Sequence, residues 1–373
     1  MIRNKVGIVT IYNYTNYGNR LQNYALTKLL ENEGIQVING ISVFTKDDWI
    51  NRTENALKRI IKRLVLYSSI KDRIYYEPKP LDGLLALREK RFLEFSKRYT
   101  IIEKTIICSS HKQAYAKLKN NGINYVIAGS DQVWNPYYEA KEYEFLTFAP
   151  KDKRLSFAAS IGVATIPEEA IWYFKKNLSD MKYISVREER AAEIVKELTG
   201  RTADVTLDPT LLLDKADWEH IAKKPELYIE DNYICTYFLG EVPEAVKAFA
   251  KEKALPIYAL NSQDSPELFI LDPAEFLYMI QNASYVLTDS FHAVAFSVKF
   301  HKEFYVFDRK EEGVSSMFSR IETITKRFCL ENRIQNRGRI VEQEPVSNWN
   351  EIEKELAAEK NKSLGKLLEA MGL

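Results

Sequence analysis

With 373 residues, 46% hydrophobic and 28% charged, the chain is long enough to bury two cores and has the composition of an ordinary soluble α/β protein. Lys plus Arg (53) balances Asp plus Glu (52), so there is no global positive field of the kind that drives nonspecific nucleic-acid binding, and nucleic acid is not expected as a partner. No segment reaches the ~20 apolar residues that cross a bilayer, and the start MIRNKVGIVTIYNY lacks a signal-peptide core, which predicts a cytoplasmic protein.

The β-branched run Val6–Ile11 reads as a strand. After the polar turn Tyr12–Gly18 a helix is expected from about Asn19 to Glu33, with Leu21, Ala25, Leu29 and Leu30 on its inner face. The turn is rich in side-chain donors and flat aromatic faces, a surface that suits sugars, and Gly18 lets the backbone approach a ligand closely or simply makes the turn. No GxGxxG or Walker loop is present. Residues 46–98 differ from the rest, with 14 basic against 8 acidic residues and no βα alternation. Within them Leu57, Ile60, Ile61, Leu64 and Val65 recur at helical spacing among Lys58, Arg59, Lys62 and Arg63. This basic amphipathic helix is expected either to touch an anionic membrane surface peripherally or to pack as an insertion on its own domain.

Further on, Tyr125–Ala128 reads as a buried strand whose C-terminal turn is Gly129, Ser130, Asp131 and Gln132. Trp134, Tyr137 and Tyr138 add aromatic surface beside Asp131, Gln132 and Asn135 for sugar hydroxyls. Leu155–Ala159 runs into Ser160 and Gly162, Tyr183–Val186 into Arg187 and Glu188, and Asp204–Leu207 into Asp208-Pro209-Thr210. Four strands thus deliver polar residues or glycine to one sheet edge, where a crevice belongs. Arg187 is the candidate for an anionic substrate because its planar fork suits a carboxylate or phosphate; the alternative is a salt bridge to neighbouring acids.

The looser pattern of 215–230 reads as a linker. A second α/β unit follows, with strands Tyr233–Phe238, Pro256–Leu260, Tyr285–Leu287 and Glu303–Phe307 alternating with helices. Gly240 ends its first strand. Its third strand ends in Thr288, Asp289, Ser290, Phe291 and His292, where a helix begins. The free N–H groups and dipole of that helix favour an anion, and His292 would stand there as a proton donor or merely pack at the helix start. Ser315–Phe328 and the amphipathic Asn350–Ala370 are further helices. Cys108, Cys235 and Cys329 form no CxxC pair, so neither a disulfide framework nor a zinc site is expected, and all three should be reduced and buried.

Taken together, VTIYNYTNYGNRLQNYAL, VIAGSDQVWN, SFAASIG, ISVREE, LDPTLLL with Trp218, and LTDSFHAVAFS resemble the polysaccharide pyruvyl transferase family, in the family's order over about residues 6 to 309. The resemblance implies two facing Rossmann-like domains of the GT-B kind. Residues 1–220 would form the acceptor side, with a basic helical insertion at 46–110. Residues 228–345 would form the donor side, and 346–373 a C-terminal helix crossing back. It also implies transfer of the enolpyruvyl carbons of phosphoenolpyruvate to two hydroxyls of a sugar, making a pyruvate ketal on an exopolysaccharide or capsule precursor, with no cofactor and no metal.

Carried over by position, His292 matches the family's active-site histidine and Arg187 a donor-binding arginine; Asp131 or Asp289 is the candidate base for the sugar hydroxyl. Tyr17, Gly18, Asn19, Gln22, Ser130, Asn135, Ser160, Glu188, Gly240, Asp289, Ser290 and Arg309 are the expected substrate contacts. Many members carry Arg-Leu-His where this chain has Ser290-Phe291-His292, so the arginine at 290 is missing and Arg309 is the compensating candidate. Two other readings stay open: a GT-B glycosyltransferase with a nucleotide-sugar donor, and a non-catalytic sugar-binding relative. A lipid-linked acceptor would bring the protein to the inner face of the membrane.

Overall fold

A computed structural model of the chain describes residues 4–11, 15–44, 83–99, 104–138, 143–309 and 318–373. The basic Leu57–Val65 stretch lies outside them, as do Tyr12, Asn13 and Tyr14 of the first turn. Among the described residues no helix is long and apolar enough to cross a membrane.

Two parallel sheets carry the architecture. In the first, the spatial order is Gln36–Ile38, Lys5–Val9, Ile123–Ala128, Arg154–Ser156. Isolated bridges at Leu155–Tyr183 and Ala159–Val186 extend it to the parallel pair Ser185–Val186 and Asp204–Val205. In the second, the order is Ile257–Ala259, Ile234–Tyr237, Tyr285–Thr288, Glu303–Phe307, Ile334–Gln335, every pairing parallel. Apolar residues on both faces of the central strands explain this: Val6, Ile8, Val126, Ile127, Val286 and Leu287 are all buried, as a sheet covered by helices on both sides requires.

The fold is α/β with two Rossmann-like halves facing each other, and their cores fuse. The Tyr17–Asn32 helix of the first half and the Pro273–Gln281 and Phe291–Lys299 helices of the second share one apolar cluster. Trp218 is fully buried within it, packed edge-on to Phe296 and tilted against Tyr24. The Trp349–Met371 helix crosses back to the first half. There Tyr125 Oη donates to the Met371 carbonyl at 2.7 Å, Lys360 pairs with Asp214 at 2.8 Å, and Lys366 pairs with Asp204.

Several expectations need correction. The segment read as a linker contains the Lys215–Ile221 helix, held by burial of Trp218 and Ile221. The insertion, expected to be helical, includes the Lys104–Ile107 strand, which pairs in parallel with Ile41–Phe44, as well as the Leu84–Arg98 helix. Trp134 is no sugar platform: it is fully buried, stacked on Phe145, and donates its indole N–H to the Glu144 carbonyl. Cys108 and Cys235 are buried, but Cys329, just past the Ser319–Arg327 helix with φ 56°, is exposed.

Candidate active site

Because every strand within each main sheet runs parallel, all carboxyl ends of that sheet open on one edge, and the two edges meet. The Ile123–Ala128 strand presents Ser130 and Asp131, Ser185–Val186 presents Arg187 and Glu188, and Asp204–Val205 leads to Asp208. From the second half, Tyr285–Thr288 leads to Asp289, Ser290 and His292.

Asp208 is the hub. It is buried, and its Oδ1 accepts from the Thr210 backbone N–H (3.0 Å) and hydroxyl (2.8 Å) as the cap of the short Pro209–Leu212 helix. Its Oδ2 accepts from Ser130 Oγ at 2.8 Å and Arg187 Nη1 at 2.7 Å, and lies 3.8 Å from His292 Nε2, an ion-pair separation. Burial alone would raise this carboxyl, but His292 and Arg187 outweigh it and hold Asp208 far below the usual carboxylate range. Arg187 is lifted in turn: burial lowers it, and Asp208, Glu188 and Asp131 more than compensate. Among the described residues Arg187 Nη2, His292 Nε2 and Glu188 Oε2 are buried without a protein hydrogen-bond partner, so their polar capacity is available to a bound molecule.

Asp131 stands beside this hub in the left-handed region (φ 73°), which its short side chain tolerates by accepting from the Gln132 N–H at 2.9 Å. Its Oδ2 accepts from Asn19 Nδ2 at 3.0 Å. Burial again raises the carboxyl, but Arg187 and His292 prevail and it stays ionised through neutral pH. Gly18 faces His292 from across the cleft. A Cβ there would lie 1.9 Å from His292 Nδ1, so only glycine permits this approach. The Phe291–Lys299 helix starts at Ser290, whose side chain makes no capping bond, while its backbone N–H donates to Thr288 Oγ1.

Gly18, Asn19, Ser130, Asp131, Arg187, Glu188, Ser290 and His292 are thus gathered in one region, with Ser160 donating to Glu188. Other expected residues make contacts of their own. Tyr17 is fully buried between the halves, stacked 4.2 Å from Phe276 with its hydroxyl donating to the Leu271 carbonyl. Gln22 is buried and bonds Thr10 Oγ1 and the Asn19 carbonyl. Asn135 bonds Gln132 beside Gly162. Gly240, Asp289 and Arg309 form their own cluster: Asp289 accepts from the N–H groups of Leu239 and Gly240 and pairs with Arg309 at 3.2 Å. Two residues were given no site role in the sequence reading. Asp208 was visible as the acid before Pro209, where an N-cap belongs. Arg320 approaches the Phe291 ring from the Ser319–Arg327 helix, far along the chain, with no local signal.

Comparison with known proteins follows this geometry. A family model described as polysaccharide pyruvyl transferase matches residues 16–311. No curated protein matches the chain. Similar solved structures include the S. aureus MnaA-UDP co-structure, at 11% identity and TM-score 0.47 over 95% of this chain and 88% of that one. Another is a UDP-GlcNAc 2-epimerase from Neisseria meningitidis bound to UDP-GlcNAc, at 9% identity and TM-score 0.42 over 98% and 99%.

Proposed function

The chain belongs to the polysaccharide pyruvyl transferase family, and from that premise we propose that it moves the enolpyruvyl group of phosphoenolpyruvate onto two hydroxyls of a sugar, forming a pyruvate ketal on an exopolysaccharide or capsule precursor. The observation that carries this reading is the meeting of His292, at the N-terminal turn of a helix, with Asp208 and Arg187 from the opposite half.

In this mechanism protonated His292 gives its proton to the methylene carbon of the donor, which becomes a methyl group, and positive charge develops on the adjacent carbon. Asp208 faces the ring, its Oδ2 3.8 Å from His292 Nε2. A sugar hydroxyl attacks the charged carbon and loses its proton to a carboxylate. Asp131, which interacts with Arg187 and His292, fits this role better than Asp289, which is paired with Arg309 and two backbone N–H groups. The carbon–oxygen bond to phosphate then breaks, phosphate leaves with the bonding pair, and the second hydroxyl closes the ketal as its proton is lost. Arg187 and the unbonded N–H groups of the Phe291–Lys299 helix hold the donor's anionic groups.

The test is incubation of the purified chain with phosphoenolpyruvate and a panel of nucleotide sugars and oligosaccharides, reading phosphate release and acceptor mass. Sugar-dependent release is expected, and His292→Ala should lower it by on the order of 10²–10⁴. No release with any acceptor, or a variant within a few-fold of the parent, would overturn the assignment.

A further inference from the structure

Phe291, in the first turn of the helix that carries His292, is approached by two guanidinium groups. Arg187 Cζ lies 4.8 Å from the ring centroid and Arg320 Cζ 5.5 Å. Both distances are within cation–π range, so the aromatic ring lets two like charges gather at one place in the cleft. Arg320 belongs to the Ser319–Arg327 helix, beyond the residues 16–311 that match the family. Burial first and then Arg187 push its guanidinium down to about 10, despite the opposing pull of Glu188 and Asp131.

Arg187 has one edge left for a negative charge, since Nη1 is committed to Asp208 while Nε and Nη2 have no protein hydrogen-bond partner. One guanidinium edge matches one carboxylate or one phosphate. A donor with two anionic groups needs a second fork. We propose that Arg320 is that fork: it binds one anionic group of the donor while Arg187 binds the other, and so selects a donor with two anionic groups over one with a single group. This rests on the pyruvyl-transfer reading of the site.

The experiment is calorimetric binding of inorganic phosphate, phosphoenolpyruvate and uridine diphosphate to the full chain and its Arg320→Ala and Arg320→Lys variants, with thermal melts as the folding control. The parent should prefer phosphoenolpyruvate to phosphate, and Arg320→Ala should weaken phosphoenolpyruvate by about tenfold to a hundredfold, collapsing that preference. Arg320→Lys should fall between, keeping charge but not the paired bonds, and it decides the matter if the alanine variant melts early. A preference unchanged in both variants overturns the role of Arg320. If the parent binds phosphoenolpyruvate no better than phosphate but binds uridine diphosphate, the pyruvyl reading fails. Arg320 is then judged on the diphosphate alone: loss in the variants upholds it as the second fork and no loss sinks it. A parent that binds none of the three overturns both.

Discussion

Asp208 accepts hydrogen bonds from Ser130, Arg187 and Thr210 in a place closed to water, so its charge is held by neighbours rather than by solvent. Asp208→Asn would leave the buried Arg187 without its closest counter-charge, and a loss of about 3–5 kcal/mol is expected from denaturant unfolding. The pH dependence has a definite sign. A carboxyl whose folded pKa is depressed binds fewer protons folded than unfolded, so its contribution is complete above the ordinary carboxylate pKa of about 4 and shrinks as the pH falls from there toward the folded value. The difference in melting temperature between parent and Asp208→Asn should therefore be flat from pH 8 to 5 and narrow below about 4. A difference that narrows on raising the pH would contradict the assignment. For Arg187, replacement by lysine should weaken phosphoenolpyruvate binding, because an ammonium cannot hold Asp208 and an anion in one plane. Unchanged affinity would return Arg187 to a structural role.

At the scale of elements, two helix starts facing each other make the cleft. Tyr17–Asn32 begins with Asn16 capping the Asn19 N–H and brings Gly18 against the His292 ring at the start of Phe291–Lys299. Gly18→Ala would place a methyl group where Nδ1 stands. The imidazole is the movable partner, so it should swing away from Asp208 while the helices hold. The expected outcome is turnover lowered by about 10² or more with an unchanged melting temperature. Retained turnover would mean that His292 has no fixed place in the reaction. These helices were legible from the sequence, since apolar residues at helical spacing follow polar turns. The facing of Gly18 and His292 was not, because nothing local in either segment refers to the other.

Across the whole molecule, the two halves are joined by a wall built round Arg88. This buried guanidinium donates to the Thr15 carbonyl of the first half at 3.1 and 3.0 Å and to the Phe269 carbonyl of the second at 2.5 Å. It lies over the rings of Tyr17, Phe92 and Phe269. Arg88→Met should strip both carbonyls of this donor at about 1–3 kcal/mol each, lowering the melting temperature and raising the KM for donor as the halves lose their register. If neither changes, the fused apolar core alone sets the cleft.

From the sequence alone came the α/β class, the two units, most strands of both main sheets and the polar residues at their carboxyl ends. Period-2 and period-3.6 patterns and glycine or proline turns are local properties that each segment carries by itself. The placement of Arg187 and His292 at one cleft followed from those patterns with the family motifs. Burial of Tyr17, Gln22 and Trp134, the helix at Lys215–Ile221, the pairing of Asp208 with Arg187 and the approach of Arg320 to Phe291 were decided only in the tertiary structure. Each depends on contacts between residues far apart in the chain. Whether a tyrosine stacks in a wall or lines a cleft is settled by what the other half of the molecule packs against it.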